Sequence, residues 1–536
     1  MMKKSIAIPS LICFIFVMLA ASVSFAAQPG AKPGLLNPPV VQAKGGKLRG
    51  YMNDEIFVFA GIKYATSERF GLPRPVEPWE GVVSAQTYGP IAPIARMTKV
   101  GDDEFVWPHR YWPQDENCQY LNVWTQKLDP NAKKPVMVFF HGGGYTNGSA
   151  IEAWAYDGTN LSRYGDVVVV TVNHRLNVLG YLDLSAYGDA YKYSPHVGWA
   201  DLVLSLEWVR DNVAAFGGDP ENVTIFGQSG GGGKVITLMH MPSAKGLFSK
   251  AISQSSGSGV NYGKTTKAMA RKIASLTFKN LNIKEGDVDA LKKVSYDALI
   301  EAADQAIAQA RKDDPANAAY INWNPIPGDD YVLNEYCDWT KNMPFMTGSV
   351  FSEQIPTFRR GDGRKNEWSA EETRANLKKY FGDKADAVAN EFARVFPNKK
   401  VADACFYSSN GRNNSQKVAS LLRAAGVGPV YEYLFTYELP VNGGTTAFHC
   451  VELTYIFHNV SIPILSIATG GAEESYKLQD VVATAWLNFA RTGNPSQPGL
   501  EWKPYTDAGK ETMIFDATSE LRSFDDAKLR ELMPLQ

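Results

Sequence analysis

Apolar residues come along this chain in short blocks, separated by longer segments in which they recur every three or four positions. The blocks at 121–124, 136–140, 167–172, 223–226, 251–253, 344–351, 430–437 and 512–515 read as strands. Those at 136–140 and 167–172 are β-branched and aromatic almost throughout, the pattern of strands covered on both faces. Shorter β runs broken by glycine come earlier, at 47–50 and 56–59. Helical spacing covers 202–216, with Leu202, Leu206, Val209 and Val213 on one face and a stop at Gly217-Gly218-Asp219-Pro220. It returns over 264–312, 369–396 and 481–492, and the Lys and Asp mixture of 287–312 marks a solvated face. Strands alternating with helices predict an α/β fold with a mainly parallel sheet. Helical insertions, roughly 259–340 and 360–425, are expected over one end of it. No internal repeat or low-complexity tract interrupts the pattern.

The first 26 residues stand outside this scheme. Lys3 and Lys4 precede a continuous apolar run from Leu11 to Ala21, and Ser24-Phe25-Ala26 offers small residues where a signal peptidase cuts. The run is short for a membrane span. A cleaved leader is therefore expected, with export to the periplasm or medium and one domain over 27–536, preceded by a Pro/Gly-rich lead-in at 28–39. No later segment is apolar enough to span a membrane. The formal net charge of −2 becomes −4 without Lys3 and Lys4, and no basic stretch points to nucleic acid. At 536 residues and 45% hydrophobic content the chain has no need of disulfide staples. Of five cysteines, Cys13 leaves with the leader. Cys118, Cys337, Cys405 and Cys450 have no metal-like spacing, and the sequence does not say which of them pair.

The candidate chemistry centres on Thr224-Ile225-Phe226-Gly227-Gln228-Ser229-Gly230-Gly231-Gly232-Gly233. A β run ends at Gly227, Ser229 lies on a turn between glycines, and a helix is expected to begin near Lys234. That is the strand–turn–helix setting of a nucleophile elbow. Glycines flank the turn because a Cβ would obstruct the close backbone approach. His141-Gly142-Gly143-Gly144 directly follows the apolar run ending at Phe140. Backbone N–H groups in such a run can converge on one developing oxyanion, at the strand end where open α/β sheets place their sites.

A serine nucleophile needs a base and an acid to orient it. Of seven histidines, His449 and His458 lie far enough downstream for the Ser–acid–His order. His449 follows the 430–437 strand through a glycine-containing loop, whereas His458 follows Tyr455-Ile456-Phe457 and reads as packed or surface. For the acid, Glu353 follows the 344–351 strand, with Asp329 and Asp330 as rivals in the turn after Gly328.

These motifs resemble the type-B carboxylesterases, the carboxylesterase/cholinesterase family of α/β-hydrolases. The likeness runs from Phe59-Ala60-Gly61-Ile62-Lys63-Tyr64-Ala65 and Glu116-Asn117-Cys118-Gln119-Tyr120-Leu121-Asn122-Val123-Trp124 to Asn173-His174-Arg175-Leu176. It continues through 216–231 to Ala447-Phe448-His449-Cys450-Val451-Glu452-Leu453. The resemblance implies an α/β-hydrolase fold and a Ser229–Glu353–His449 triad, with an oxyanion hole from the N–H groups of Gly143, Gly144 and Gly230. It implies a structural ion pair between Glu116 and Arg175, and a supporting hydroxyl from Ser255 or Ser256. It also puts Trp107, Tyr111, Trp112 and Gln228 near an alcohol-side pocket.

Four departures stand out: Ser352-Glu353-Gln354 around the acid, Gln228 before the nucleophile, Gly230 for a common alanine, and no cysteine in 90–96 to pair with Cys118. A neutral Gln228 weakens the case for a cationic choline substrate. The expected activity is hydrolysis of small-molecule esters, aromatic or bulky, through an acyl-enzyme, with no metal or organic cofactor. Activity should fall as His449 protonates below about 6.5. An amidase or thioesterase on the same triad is one rival, and a non-catalytic binding protein another. Oligomeric state and the physiological ester are left open.

Overall fold

The computed structural model describes residues 37–94, 101–257, 259, 262–361 and 363–534. The expected leader, Cys13 and most of the 28–39 lead-in lie outside the described residues. An eleven-stranded sheet organises the chain. Its strands, in chain order, are β1 (Tyr51–Asn53), β2 (Ile56–Lys63), β3 (Tyr120–Thr125), β4 (Lys134–Phe140), β5 (Val168–Val172) and β6 (Gly218–Gln228). Then follow β7 (Lys250–Gln254), β8 (Phe345–Val350), β9 (Val430–Phe435), β10 (Glu511–Phe515) and β11 (Glu520–Ser523). Across the sheet the order is β11-β10-β9-β8-β7-β6-β4-β5-β3-β2-β1. The seven strands from β10 to β5 run parallel, and β1–β3 and β11 are antiparallel to their neighbours. The early run at 47–50 joins a separate small sheet, Gly46–Arg49 between Val40–Ala43 and Val82–Ser84.

The parallel strands are buried on both faces, which is why their sequences are apolar without alternation. Two large apolar clusters form, one on each side of the sheet, around Phe59, Trp199 and Phe216 and around Phe139, Tyr433 and Trp486. One ladder matters most for the site. Gly227 of β6 lies opposite Phe140 of β4, and Gln228 lies opposite Gln254 of β7, so three chain segments emerge together at the C-terminal end of the sheet.

Helix boundaries differ from the sequence reading where glycine and capping chemistry intervene. The helix after Ser229 starts at Gly230 and runs to Leu238, so it forms despite four leading glycines. The 202–216 segment is the last part of Val197–Asn212, followed by a 3-10 turn, Val213–Phe216, closed by Gly217 at φ 81°. The 369–396 run breaks at Gly382, φ 57°, into Ala370–Phe381 and Ala385–Val395. The 264–312 run splits into Lys267–Asn280, Val288–Lys292 and Tyr296–Asp313, the last two capped by Asp287 and Ser295. The last long helix starts earlier than its apolar pattern, at Glu473.

Glu116 and Arg175 do not pair. Arg175, at the end of β5, turns inward and gives Nε and a terminal nitrogen to the two carboxylate oxygens of buried Asp201, at 2.9 and 2.8 Å. Glu116 stays one-third exposed and holds Arg69 instead. An interior guanidinium needs an interior carboxylate. Asp201, on the helix Val197–Asn212, supplies it. The four cysteines among the described residues are all free thiols.

Candidate active site

Ser229 sits between β6 and the helix Gly230–Leu238 with φ 57° and ψ −122°, a left-handed geometry a serine adopts only under constraint. The constraint is visible. Its N–H donates to the Gln254 carbonyl at 2.8 Å, and its carbonyl accepts from Gly233 N–H at 3.1 Å. The neighbouring glycines are required by space. A Cβ on Gly227 would stand 2.5 Å from the Gly231 carbonyl, and one on Gly231 2.0 Å from the Phe140 oxygen. On Gly230 it would lie 2.1 Å from the Gly144 oxygen.

The loop 141–144 leaves β4 and turns through Gly143 and Gly144, at φ 79° and 63°. The Gly143 carbonyl closes the turn by accepting from Asn147 N–H at 3.0 Å. No backbone carbonyl among the described residues accepts from the N–H groups of Gly143, Gly144 or Gly230. All three therefore stay available beside Ser229.

Glu353 lies three residues past β8 with φ 21°. One carboxylate oxygen accepts from Val350 N–H at 3.1 Å, and the other meets His449 Nδ1 at 2.5 Å. The two loops are also tied by backbone, since His449 N–H donates to the Glu353 carbonyl at 3.0 Å. Burial opposes a charged imidazolium here. The hydrogen bond and charge of Glu353, with Glu452 behind it, outweigh that and hold His449 above its ordinary pKa. The acid limb expected near 6.5 therefore moves upward. The rival acids are engaged elsewhere: Asp329 with His196 at 2.8 Å and Asp330 with Lys192 at 3.0 Å. His458 stacks on Tyr164 and meets Asp480 at 2.7 Å.

Gln228 is buried behind this group. Its amide nitrogen lies 3.3 Å from both ring nitrogens of His449, and its oxygen accepts from Cys450 Sγ at 3.0 Å. A point equidistant from the two nitrogens is off the axis of either in-plane lone pair. Buried Glu452, whose carboxyl is pushed up to about 7 by burial and by the charge of Glu353, accepts from Gln254 at 3.4 Å.

Two clefts of about 250 Å³ each meet at Ser229. The first holds Trp107, Tyr156, Phe358 and Phe448 together with Gly142, Gly143, Glu353 and His449. The second is formed by Gly144, Gly230 and Ser255, with Tyr145, Tyr262 and Tyr320. A larger cavity of about 580 Å³ beside Arg69 and Glu116 contains no histidine. Of the four expected pocket residues only Trp107 faces a cleft. Tyr111 is 62% exposed and bonds Glu104, Trp112 packs edge-on against Tyr88, and Gln228 is enclosed. Ser255, at φ 48°, faces the second cleft, while Ser256 is buried under Gly232. Sequence reasoning quoted Phe448 and Cys450 inside a motif without giving them a place in the cleft, and it missed Tyr145, next to the glycine loop, and Phe358, Tyr262 and Tyr320, which lie in stretches without a motif. Among the described residues no cluster of His, Cys, Asp and Glu is placed to hold a metal.

Comparisons with known proteins bear on the family and the fold. The sequence model of the carboxylesterase family matches residues 37–530. The para-nitrobenzyl esterase of Bacillus subtilis is 32% identical over 92% of this chain and 98% of its own. The phenmedipham hydrolase of Pseudarthrobacter oxydans is 29% identical over 87% and 92%. A solved esterase from Clostridium hathewayi, described as able to hydrolyse aliphatic aromatic polyesters, superposes with a TM-score of 0.83. It is 41% identical over 93% of this chain and 98% of that one.

Proposed function

Because the chain belongs to the carboxylesterase family and is a carboxylic-ester hydrolase, we propose that it works through an acyl-enzyme on Ser229. One observation carries the assignment. Glu353 and His449 meet at 2.5 Å in the same cleft that exposes Ser229 and the Gly142–Gly143 turn. With Nδ1–H held by Glu353, His449 Nε2 is the acceptor for the Ser229 proton. Ser229 Oγ attacks the ester carbonyl, and the oxyanion lies against the N–H groups of Gly143, Gly144 and Gly230. His449 then protonates the leaving alcohol, and next activates water to release the acid and free Ser229.

The substrate reading is a neutral ester with an aromatic or bulky group stacked among Trp107, Tyr156, Phe358 and Phe448. The para-nitrobenzyl group in the name of one relative and the aliphatic aromatic polyesters hydrolysed by another support the aromatic reading. No helix among the described residues is long and apolar enough to cross a membrane. The leader pattern at 1–26 supports export, testable by N-terminal sequencing of the chain recovered from periplasm or medium.

The test of the chemistry compares wild type with Ser229→Ala on p-nitrophenyl acetate, butyrate and octanoate, with matched amide and thioester substrates alongside. Turnover should fall by more than about a thousandfold in the variant. A fluorophosphonate should label wild type at Ser229. Activity surviving in Ser229→Ala, or faster turnover of the amide than of the ester, would sink the reading.

A further inference from the structure

Lys234 is the first side chain after the glycine run 230–233, and it is fully buried. The glycines let the start of this helix lie backbone against backbone on residues 140–144, as the approaches of Gly230 to Gly144 and Gly231 to Phe140 show. They also leave that contact without a side chain to fasten it. The Lys234 ammonium is the first group able to do so, and its Nζ donates to the His141 carbonyl at 2.8 Å. That carbonyl sits one residue before Gly142 and two before Gly143. The charged and titratable groups facing Lys234 are the half-buried Glu152 carboxyl, at the edge of the first cleft, and the buried imidazoles of His141 and His174. Both ring nitrogens of His174 lack a hydrogen-bond partner among the described residues, so this pocket is polar but sparsely bonded.

A buried amine with one carbonyl partner is a costly way to fill core space, since desolvating it opposes folding and a methionine has similar bulk. Burial pushes the amine down to about 7, against the pull of Glu152. Gly142, Gly143 and Gly144 have broad backbone freedom, whereas an oxyanion hole requires donors fixed within a few tenths of an ångström. A tether at the root of the loop supplies what glycine lacks.

We propose that Lys234 is a positioning residue for ester hydrolysis, which fixes the Gly143 and Gly144 N–H groups by holding the His141 carbonyl. This rests on the oxyanion assignment above. It acts through the loop and touches no substrate. Its effect therefore belongs to the transition state, which carries the negative oxygen, and much less to ground-state binding.

The experiment uses the full chain with Lys234→Met and Lys234→Gln. It measures kcat and KM on p-nitrophenyl butyrate, Ki for an aryl trifluoromethyl ketone that forms an oxyanionic hemiketal on the serine, and Tm. In the methionine variant kcat should fall about 10- to 100-fold with KM within about twofold. Ki should rise by the same factor as kcat falls, and Tm should hold or increase. The glutamine variant, which keeps a donor, should recover part of kcat, and it carries the test if the methionine variant does not fold. The proposal is overturned if kcat stays within about threefold of wild type in both variants. It is equally overturned if kcat falls while Ki is unchanged, or if kcat and Tm fall together without rescue by glutamine. Ser229→Ala in the same series separates the two levels: if it stays active, the triad reading fails. If it is dead and Lys234→Met is normal, only the role of Lys234 fails.

Discussion

Replacing Glu353 by Gln tests the triad at its most constrained contact. The carboxylate accepts twice, from Val350 N–H at 3.1 Å on one oxygen and from His449 Nδ1 at 2.5 Å on the other. An amide has one oxygen. If that oxygen faces Val350, the NH2 group faces Nδ1, and Nδ1 must become the acceptor. The ring proton then sits on Nε2, where it blocks transfer from Ser229. If the oxygen faces Nδ1 instead, the NH2 group opposes the Val350 N–H, a buried donor-to-donor contact that costs about 1–3 kcal/mol. Either way the productive tautomer is penalised. In serine triads the corresponding carboxylate-to-amide change lowers kcat about 10⁴-fold, or about 5.4 kcal/mol of barrier. Two shifts are expected together. kcat/KM on p-nitrophenyl butyrate should drop by about 10³- to 10⁴-fold. The acid limb should also move down. In wild type it lies above 6.5, because burial is outweighed by Glu353, and without that charge burial prevails and His449 ionises only at lower pH. The assay is a pH–rate profile from about pH 4.5 to 9 on both proteins. A loss under tenfold, or an acid limb that stays in place or rises, refutes the assignment of Glu353.

Other expectations are simpler to check. Gly230→Ala puts a Cβ 2.1 Å from the Gly144 oxygen, so the loop must move by about an ångström and kcat should fall about 100-fold, even though alanine is common here in the resembling family. A variant with wild-type kcat would mean that the helix start and loop are not packed as described. Glu452→Gln probes a carboxyl raised to about 7. A raised acid destabilises the fold once it ionises. Its cost grows as pH climbs from about 4.5 to 7 and then levels near 3 kcal/mol. Chemical denaturation should therefore show the variant matching wild type at pH 4.5 and exceeding it at pH 8, and equal stability at both pH values would contradict the burial argument. Asp201→Ala strands the buried Arg175 and should cost about 3–5 kcal/mol, whereas Glu116→Ala, at a pair whose carboxylate is one-third exposed, should cost less, on the order of 1–2 kcal/mol. The reverse ranking would restore the Glu116–Arg175 pair.

The sheet was legible in the sequence because its central parallel strands, β4 and β5 above all, are buried on both faces and so appear as nearly continuous apolar blocks. The positions of Ser229 and the glycine loop were legible for the same reason, since each closely follows such a block, whereas His449 was legible from its place far downstream of Ser229, in the loop after β9. Helix ends were less so. Nothing in a run of four glycines announces a helix, and Gly230–Leu238 begins there because the elbow and the approach to Gly144 demand a bare backbone. Pairings were the hardest part. Arg175 has carboxylates available at many sequence distances, and only the placement of the Val197–Asn212 helix in the fold selects Asp201. The cleft walls followed the same rule, with Phe358, Tyr262 and Tyr320 brought to Ser229 by insertions whose local patterns describe helices and turns rather than a site.

The glycine run and the buried lysine answer one physical problem. The proposed mechanism needs three N–H groups at a single point, two from the loop after β4 and one from the helix after β6. Only backbones in direct contact can bring them that close, which leaves no room for a side chain on Gly230 or Gly231. Contact made that way has little to hold it, because glycine contributes neither packing area nor a hydrogen bond beyond its own peptide. The fastening must come from the first residue that can carry a side chain, and that side chain must be long enough to reach back along the helix and must end in a donor. Lys234 meets each condition. A position that breaks the rule against buried, poorly paired amines therefore sits where the demand for a fixed backbone is greatest. That is where a violation of ordinary core chemistry is expected to serve function.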